Sequence, residues 1–226
     1  NRHHERVRRD RCGGVRAALD LPSLRCSEVH VTDTAGDGNG ESFTHFDVRP
    51  NDLFLADRGY GRSSDIHYVA SKGGAVITRF AYHNLSLWED AEQRFDLLAH
   101  LRGLHGRNTG DWPAAVKHKG CLIQGRVCAV RRSRQSAAQA QQQARKKAQK
   151  NRAQIRPETL EAANYIHVFT TLTRHQLSST RVLEFYRGRW QVELIFKRLK
   201  SIVGIGHLHK RDPDAARAWI HGKLLV

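Results

Sequence analysis

The chain has 226 residues, long enough to bury a sizeable core as one or two domains. Hydrophobic residues make up 39% and charged residues 27%, but 38 Lys and Arg against 22 Asp and Glu leave a formal charge of +16. Such an excess attracts polyanions, and each phosphate contact releases counterions, so nucleic acid is the expected partner.

No run of about 18 apolar residues occurs, so no membrane-spanning helix is expected. The start, Asn1-Arg2-His3-His4-Glu5-Arg6, has no apolar stretch of the kind a signal peptide carries. Cys12, Cys26, Cys121 and Cys128 form no C-x-x-C pair and read as reduced cytoplasmic thiols. The 14 histidines show no H-x₃-H or H-E-x-x-H spacing, which argues against a zinc enzyme. There is no Met anywhere, not even at position 1, a pattern that fits either a processed N-terminus or a reading beginning inside a longer frame.

In chain order, residues 1–14 are polar and basic and read as disordered. Val15–Leu21 and Arg25–Thr32 are β-prone runs separated by Pro22-Ser23, which predicts a hairpin. The Gly, Asp and Asn-rich stretch 33–40 reads as a loop, and Glu41–Val48 as a short helix stopped before Pro50. Asp52–Ala56 is a compact apolar strand that ends at Asp57-Arg58-Gly59-Tyr60-Gly61. A helix over 63–71, with Ser63 or Ser64 as cap, leads to a strand at Ala75–Phe80. This alternation predicts a mixed α/β sheet.

Residues 89–104 then read as helical, Val116–Val130 as paired strands, and 131–152 as an Ala, Gln, Lys and Arg-rich helix. That basic helix is either a solvated face or a surface lying against phosphates. Tyr165–Leu172 returns to a strand, and a long amphipathic helix follows the cap candidates at 178–180. Gly204 and Gly206 end it, and Asp212-Pro213 opens a last helix.

The long helix carries the densest chemistry. Tyr186, Arg189, Glu193, Lys197 and Lys200 are spaced three, four, four and three apart, so they share one helical face. Leu183, Trp190, Leu194 and Leu199 are available for its buried sides. Ion pairing alone would explain i,i+4 charges, yet between Tyr186 and Lys200 a single Glu stands among Arg187, Arg189, Lys197 and Lys200. A carboxylate can hold a divalent metal while flanking cations and a phenol grip phosphates, a set suited to phosphodiester chemistry.

Tyr186-x₂-Arg189-x₃-Glu193-x₆-Lys200 resembles the Tyr-Arg-Glu-Lys motif of bacterial insertion-sequence transposases with an Asp-Asp-Glu triad, the insertion sequence four family. LADRGY at 55–60, RPETLEAANYIHVFTTL at 156–172 and the stretch 187–225 resemble the same family, and together residues 15–226 are covered. The resemblance implies an RNase H-like α/β fold with a β-rich insertion before the last catalytic helix. The implied layout is a core at 15–83, an insertion subdomain with the basic helix at 84–164, and a second core part at 165–226. It implies Asp57 and Glu193 as catalytic ligands of Mg²⁺ or Mn²⁺, Tyr186 and Arg189 on phosphate near a transposon end, and Lys197 and Lys200 on DNA backbone. It further implies double-stranded DNA as partner, a homodimer on DNA, and a bacterial cytoplasmic, nucleoid-associated setting.

The family's first triad Asp ends the first core strand and is followed by Gly-Thr or Ala-Thr. Neither Asp-Gly-Thr nor Asp-Ala-Thr occurs here, and Asp10, Asp20 and Asp33 stand in the wrong contexts. The first strand is therefore expected to be missing, leaving a chain of marginal stability and very weak catalysis. The competing functions are a non-catalytic DNA-binding protein, a nuclease that cuts without joining, and a basic ribosomal-type protein.

Overall fold

The computed structural model describes residues 14–20, 25–32 and 42–202, with Ala215, Ala218, Trp219 and Gly222. For 14–32, 191–193 and 195–202 the description is of backbone alone. The basic N-terminal stretch up to residue 13, the 33–40 loop and the glycines at 204 and 206 lie outside it. So does most of the last predicted helix, of which the four described residues are helical.

Two compact units divide the chain, residues 1–41 with 190–226 and residues 42–189. In the first, β1 (Gly14–Asp20) and β2 (Arg25–Thr32) form the predicted antiparallel hairpin. Its register shifts between Ala18 and Leu19, where Glu28 and Cys26 are the successive partners and Ser27 is left over. Such a bulge strengthens the local twist.

The second unit is built on a six-stranded mixed sheet, in the order β3-β4-β8-β7-β6-β5. β3 (Leu53–Ala56) and β4 (Ala75–Arg79) are parallel, joined through α1 (Ser63–Ser71). β5 (Leu87–Trp88), β6 (Thr109–His118), β7 (Cys121–Arg131) and β8 (Tyr165–Thr170) pair antiparallel across the rest. The strands of the 84–164 segment thus continue the same sheet through the β7–β8 pairing. α2 (Leu97–Arg102), α3 (Arg134–Lys150), α4 (Pro157–Ala162) and α5 (Ser179–Ile202) complete the element order.

Adjacent strand residues point to opposite faces, and Val76 and Ile77, Val127 and Cys128, and Val168 and Phe169 are all fully buried. The centre of the sheet is therefore covered on both sides. α1 packs through Ile66 and Val69 on one, and α5 through Val182, Leu183 and Tyr186 against Ile77, Cys128 and Val168 on the other. Burying each such aliphatic side chain contributes about 1.5–3 kcal/mol.

Several predicted elements are corrected. The helix read over Glu41–Val48 is a single 3₁₀ turn at Phe43–His45, capped by Ser42 and anchored by buried Phe43. Neither Ser63 nor Ser64 caps α1: Arg62 occupies the cap position, and its side chain makes no capping bond. Ser63 is already helical and faces His118 Nδ1 at 3.4 Å, while Asp65 in the first turn is spent on the Ser42 hydroxyl and the Phe43 amide.

The helix read over 89–104 exists only at Leu97–Arg102, capped by Asp96. Before it, Asp90 accepts from the amides of Glu92 and Gln93, a local bonding mode that competes with helix, and Arg94 folds over the Trp88 ring. The paired strands read at 116–130 are longer, and their turn is Lys119-Gly120, both with positive φ as a two-residue hairpin requires. Trp190, assigned to a buried side of α5, is 52% exposed.

Candidate active site

Asp57 is the first residue after β3, and Arg79 is the last of β4. Because these two strands run parallel, both side chains emerge at the carboxyl end of the sheet, where open α/β sheets place their ligands. The chain turns there through Arg58–Tyr60, and Gly61 closes the turn against β4. A Cβ at Gly61 would lie 2.7 Å from the Arg79 carbonyl oxygen, so only glycine allows this approach.

α5 supplies the other wall. Val182, Leu183 and Tyr186 recur at helical spacing and are buried, which fixes the rotation of the helix about its axis. The Tyr186 hydroxyl then donates to Asp57 Oδ1 at 3.1 Å, and Arg189 Nη2 stands 3.9 Å from Oδ2. The Arg189 guanidinium also lies over the Tyr186 ring, 5.4 Å from its centroid. Sequence spacing had placed Tyr186 and Arg189 on one face, and the fold brings that face to Asp57.

The electrostatics of the corner favour an ionised carboxylate. Burial alone would raise the Asp57 pKa, yet Arg189, the Arg58 amide and the Tyr186 hydroxyl together hold it below the usual carboxylate value. Burial, and then the Asp57 charge, push the Tyr186 phenol up, so it remains a donor at neutral pH. The Asp57 side chain is 46% exposed. A hard cation favours such an oxygen donor. Among the described residues no cluster of three or more His, Cys, Asp or Glu side chains is poised for a metal. Glu193, Lys197 and Lys200 lie on α5 at the predicted helical spacing, and their side chains are outside the described residues.

Residues 36–226 fit the family model described as the transposase DDE domain. The chain belongs to the DDE transposase family. It is 31% identical over 214 residues to InsL of the insertion sequence element IS186A in Escherichia coli K12, and equally to the transposase for insertion sequence element IS421 of Escherichia coli. The transposase for IS231F of Bacillus thuringiensis subsp. israelensis is 24% identical over 198 residues, covering 79% of this chain and 41% of that protein. The chain is covered to 92% by the two Escherichia coli relatives and spans 57% of their length. No solved structure matches it. The resemblance carried by the Tyr186-to-Lys200 motif is thus borne out at the level of family. Within the described residues no helix is long and apolar enough to cross a membrane.

One group of residues near the site had no signal in the sequence. Arg58, Arg79 and Arg132 come from the turn after β3, the end of β4 and the approach to α3, yet they line one cavity with His167 of β8. No spacing rule links residues from four separate elements.

Proposed function

We propose that this chain is catalytic-domain material of an insertion-sequence DNA transposase, with an RNase H-like core and with Asp57 and Glu193 as two of its acidic residues. The observation that carries the reading is the Asp57 corner: a carboxylate at a strand end, held by the Tyr and Arg of the family's own motif. The parallel β3–β4 pair and the antiparallel strands beside it suit such a core, with 84–164 as its insertion.

By the family's motif, Asp57 and Glu193 would be the ligands of a divalent cation, Mg²⁺ or Mn²⁺, and the ionised, half-exposed Asp57 carboxylate is a donor of the kind such a cation takes. Bound there, it would supply Lewis-acid polarisation of a phosphoryl oxygen and an activated water or 3′-hydroxyl. The chain's own residues do the rest. Arg189, stacked on the phenol, presents a planar fork suited to a phosphate's two oxygens. Tyr186 orients the Asp57 carboxylate through its hydroxyl and keeps that oxygen from turning away. Lys197 and Lys200, two and three turns along α5, extend the grip along a DNA strand. Double-stranded DNA, as transposon end and target, is the proposed substrate, with two copies acting across two ends. Since no Asp-Gly-Thr or Asp-Ala-Thr stands in this chain, cleavage by it alone is proposed to be weak.

The test is joining of a labelled 3′-hydroxyl DNA end into a target duplex, with Mg²⁺ or Mn²⁺ and with chelator. Joining that depends on metal and falls by at least about 100-fold in both Asp57→Asn and Glu193→Gln supports the proposal. Cutting without joining marks a nuclease instead. Salt-dependent DNA binding with no metal-dependent cleavage, unaffected by chelation and by Glu193→Gln, marks a non-catalytic DNA-binding protein.

A further inference from the structure

A cavity of about 410 Å³ opens between the ends of β4 and β8 and one face of α3. Its size falls in the range of small-molecule sites. Arg58, Arg79 and Arg132 line it with Lys147 of α3, and no Asp or Glu is among its lining residues. His167 lines it from β8, 3% exposed; neither ring nitrogen reaches a partner in full hydrogen-bond geometry, and the Phe80 backbone beside the ring offsets only part of the burial. The Nε atoms of Arg79 and Arg132 are likewise buried and unpartnered. Arg132 is held in place by its Nη1 bond to Ser136 on the first turn of α3.

Such a cluster is costly as it stands. Like charges repel, the Asp57 carboxylate outside the cavity offsets this only at Arg58 and Arg79, and a buried donor without an acceptor loses its hydration for nothing in return. The Arg132 guanidinium feels this: burial first, then Arg79 and Arg58, pull it down to about 10. Small residues keep the space open, since Ala140 and Ala144 face it from α3. Three guanidinium groups around a roomy cavity, one of them held by Ser136, suit a tetrahedral oxyanion, whose oxygens can accept paired bonds from a guanidinium fork.

We propose that this cavity is a phosphate-binding site that holds a backbone phosphate of a nucleic-acid strand. The site rests on the DNA-acting reading only for the source of the phosphate; its chemistry stands on the cavity alone. It gives the basic α3 a role: one face closes the pocket through Ala140, Ala144 and Lys147.

The test is made in chelator, so that it does not depend on cleavage. Inorganic phosphate is titrated against the chain in a thermal melt, with chloride at equal ionic strength as control, and duplex DNA binding is measured across a salt series. The variants are Arg132→Gln, which removes a fork, and Ala144→Phe, which fills the cavity and keeps every charge. Phosphate is expected to raise the Tm of the parent chain beyond the chloride control and to have no such effect on either variant. Without phosphate, Arg132→Gln is expected to melt higher than the parent, because a repelling charge is gone. Its DNA affinity is expected to fall about tenfold, with a salt slope smaller by about 1.

A phosphate effect no larger than chloride's overturns the proposal. So does a lower Tm for Arg132→Gln without phosphate, which would make the cluster a structural support. Phosphate binding lost in both variants while DNA affinity is unchanged would assign the pocket to a free phosphate compound and overturn the nucleic-acid source. Loss of strand joining in Asp57→Asn bears on the active site and leaves these readouts separate.

Discussion

Arg126 and Arg132 stand six residues apart, one within β7 and one just past its end, yet the fold treats them in opposite ways. Arg126 is 3% exposed and fully engaged: it donates to Asp111 Oδ2 at 2.7 Å, to the Leu172 and Thr173 carbonyls, and to that of Leu177. Asp111 in turn has Arg174 Nε at 3.3 Å from its other oxygen. Arg132 has one serine and, for company, two more guanidiniums. A buried cation that the chain satisfies by itself is a structural part. One surrounded by cations is a receptor in search of an anion.

The contrast is sharpest in the sign of a substitution. Arg126→Ala is expected to destabilise the fold by about 3–5 kcal/mol, because Asp111 and three carbonyls lose a buried donor. Chemical denaturation measures it, and a loss below about 1 kcal/mol would break the distinction between the two arginines. Arg132→Gln, by the argument above, shifts stability the other way.

A smaller effect belongs to His167. Burial first, then Arg79 and Arg58, pull its imidazole down to about 3 from an ordinary 6.5. A neutral folded histidine binds fewer protons than the unfolded one, so its contribution is whole above pH 6.5 and is lost as pH falls toward 3. Between pH 7 and 5 that loss is about 2 kcal/mol. Melts at the two pH values should show it, and His167→Leu should remove it. An unchanged pH slope in His167→Leu would mean that the imidazole is hydrated or charged in the fold.

The least effect is expected at the active-site corner, which is more open than either arginine site. Tyr186→Phe removes one hydrogen bond to a half-exposed carboxylate and should cost about 1 kcal/mol of stability. The Asp57 carboxyl should titrate at higher pH, since a bond to its charged form is gone. Carbon NMR of the labelled aspartate reads this, and no upward movement would deny Tyr186 its positioning role.

These comparisons also show where sequence reasoning reaches. Short β-prone runs around Pro22-Ser23 placed the hairpin, apolar runs placed β3, β4 and β8 because strands of a covered sheet read as near-continuous hydrophobic stretches, and helical spacing placed the long α5. Asp57, Tyr186 and Arg189 were legible because a strand end and a helix face are local objects. The extent of β6 was not: Gly110 and Pro113 interrupt its pattern, and pairing with β7 along its whole length keeps the strand together. The 89–96 segment has helix-forming residues, but the Asp90 side chain captures two amides that a helix would have used. The arginine cavity had no sequence signature, since its members meet through the order of strands in the sheet.

The Lys119-Gly120 turn has a practical use. It leaves Cys121 exposed at the start of β7, while Cys128 on the same strand is buried, its thiol pushed up to about 12 by that burial. A maleimide near neutral pH will find the first and pass over the second, because only a thiolate reacts. With Cys12 and Cys26 changed to Ser, the tip of this hairpin becomes a single address for a dye. Light emitted from that address would report whether duplex DNA binds, from a residue outside the proposed sites.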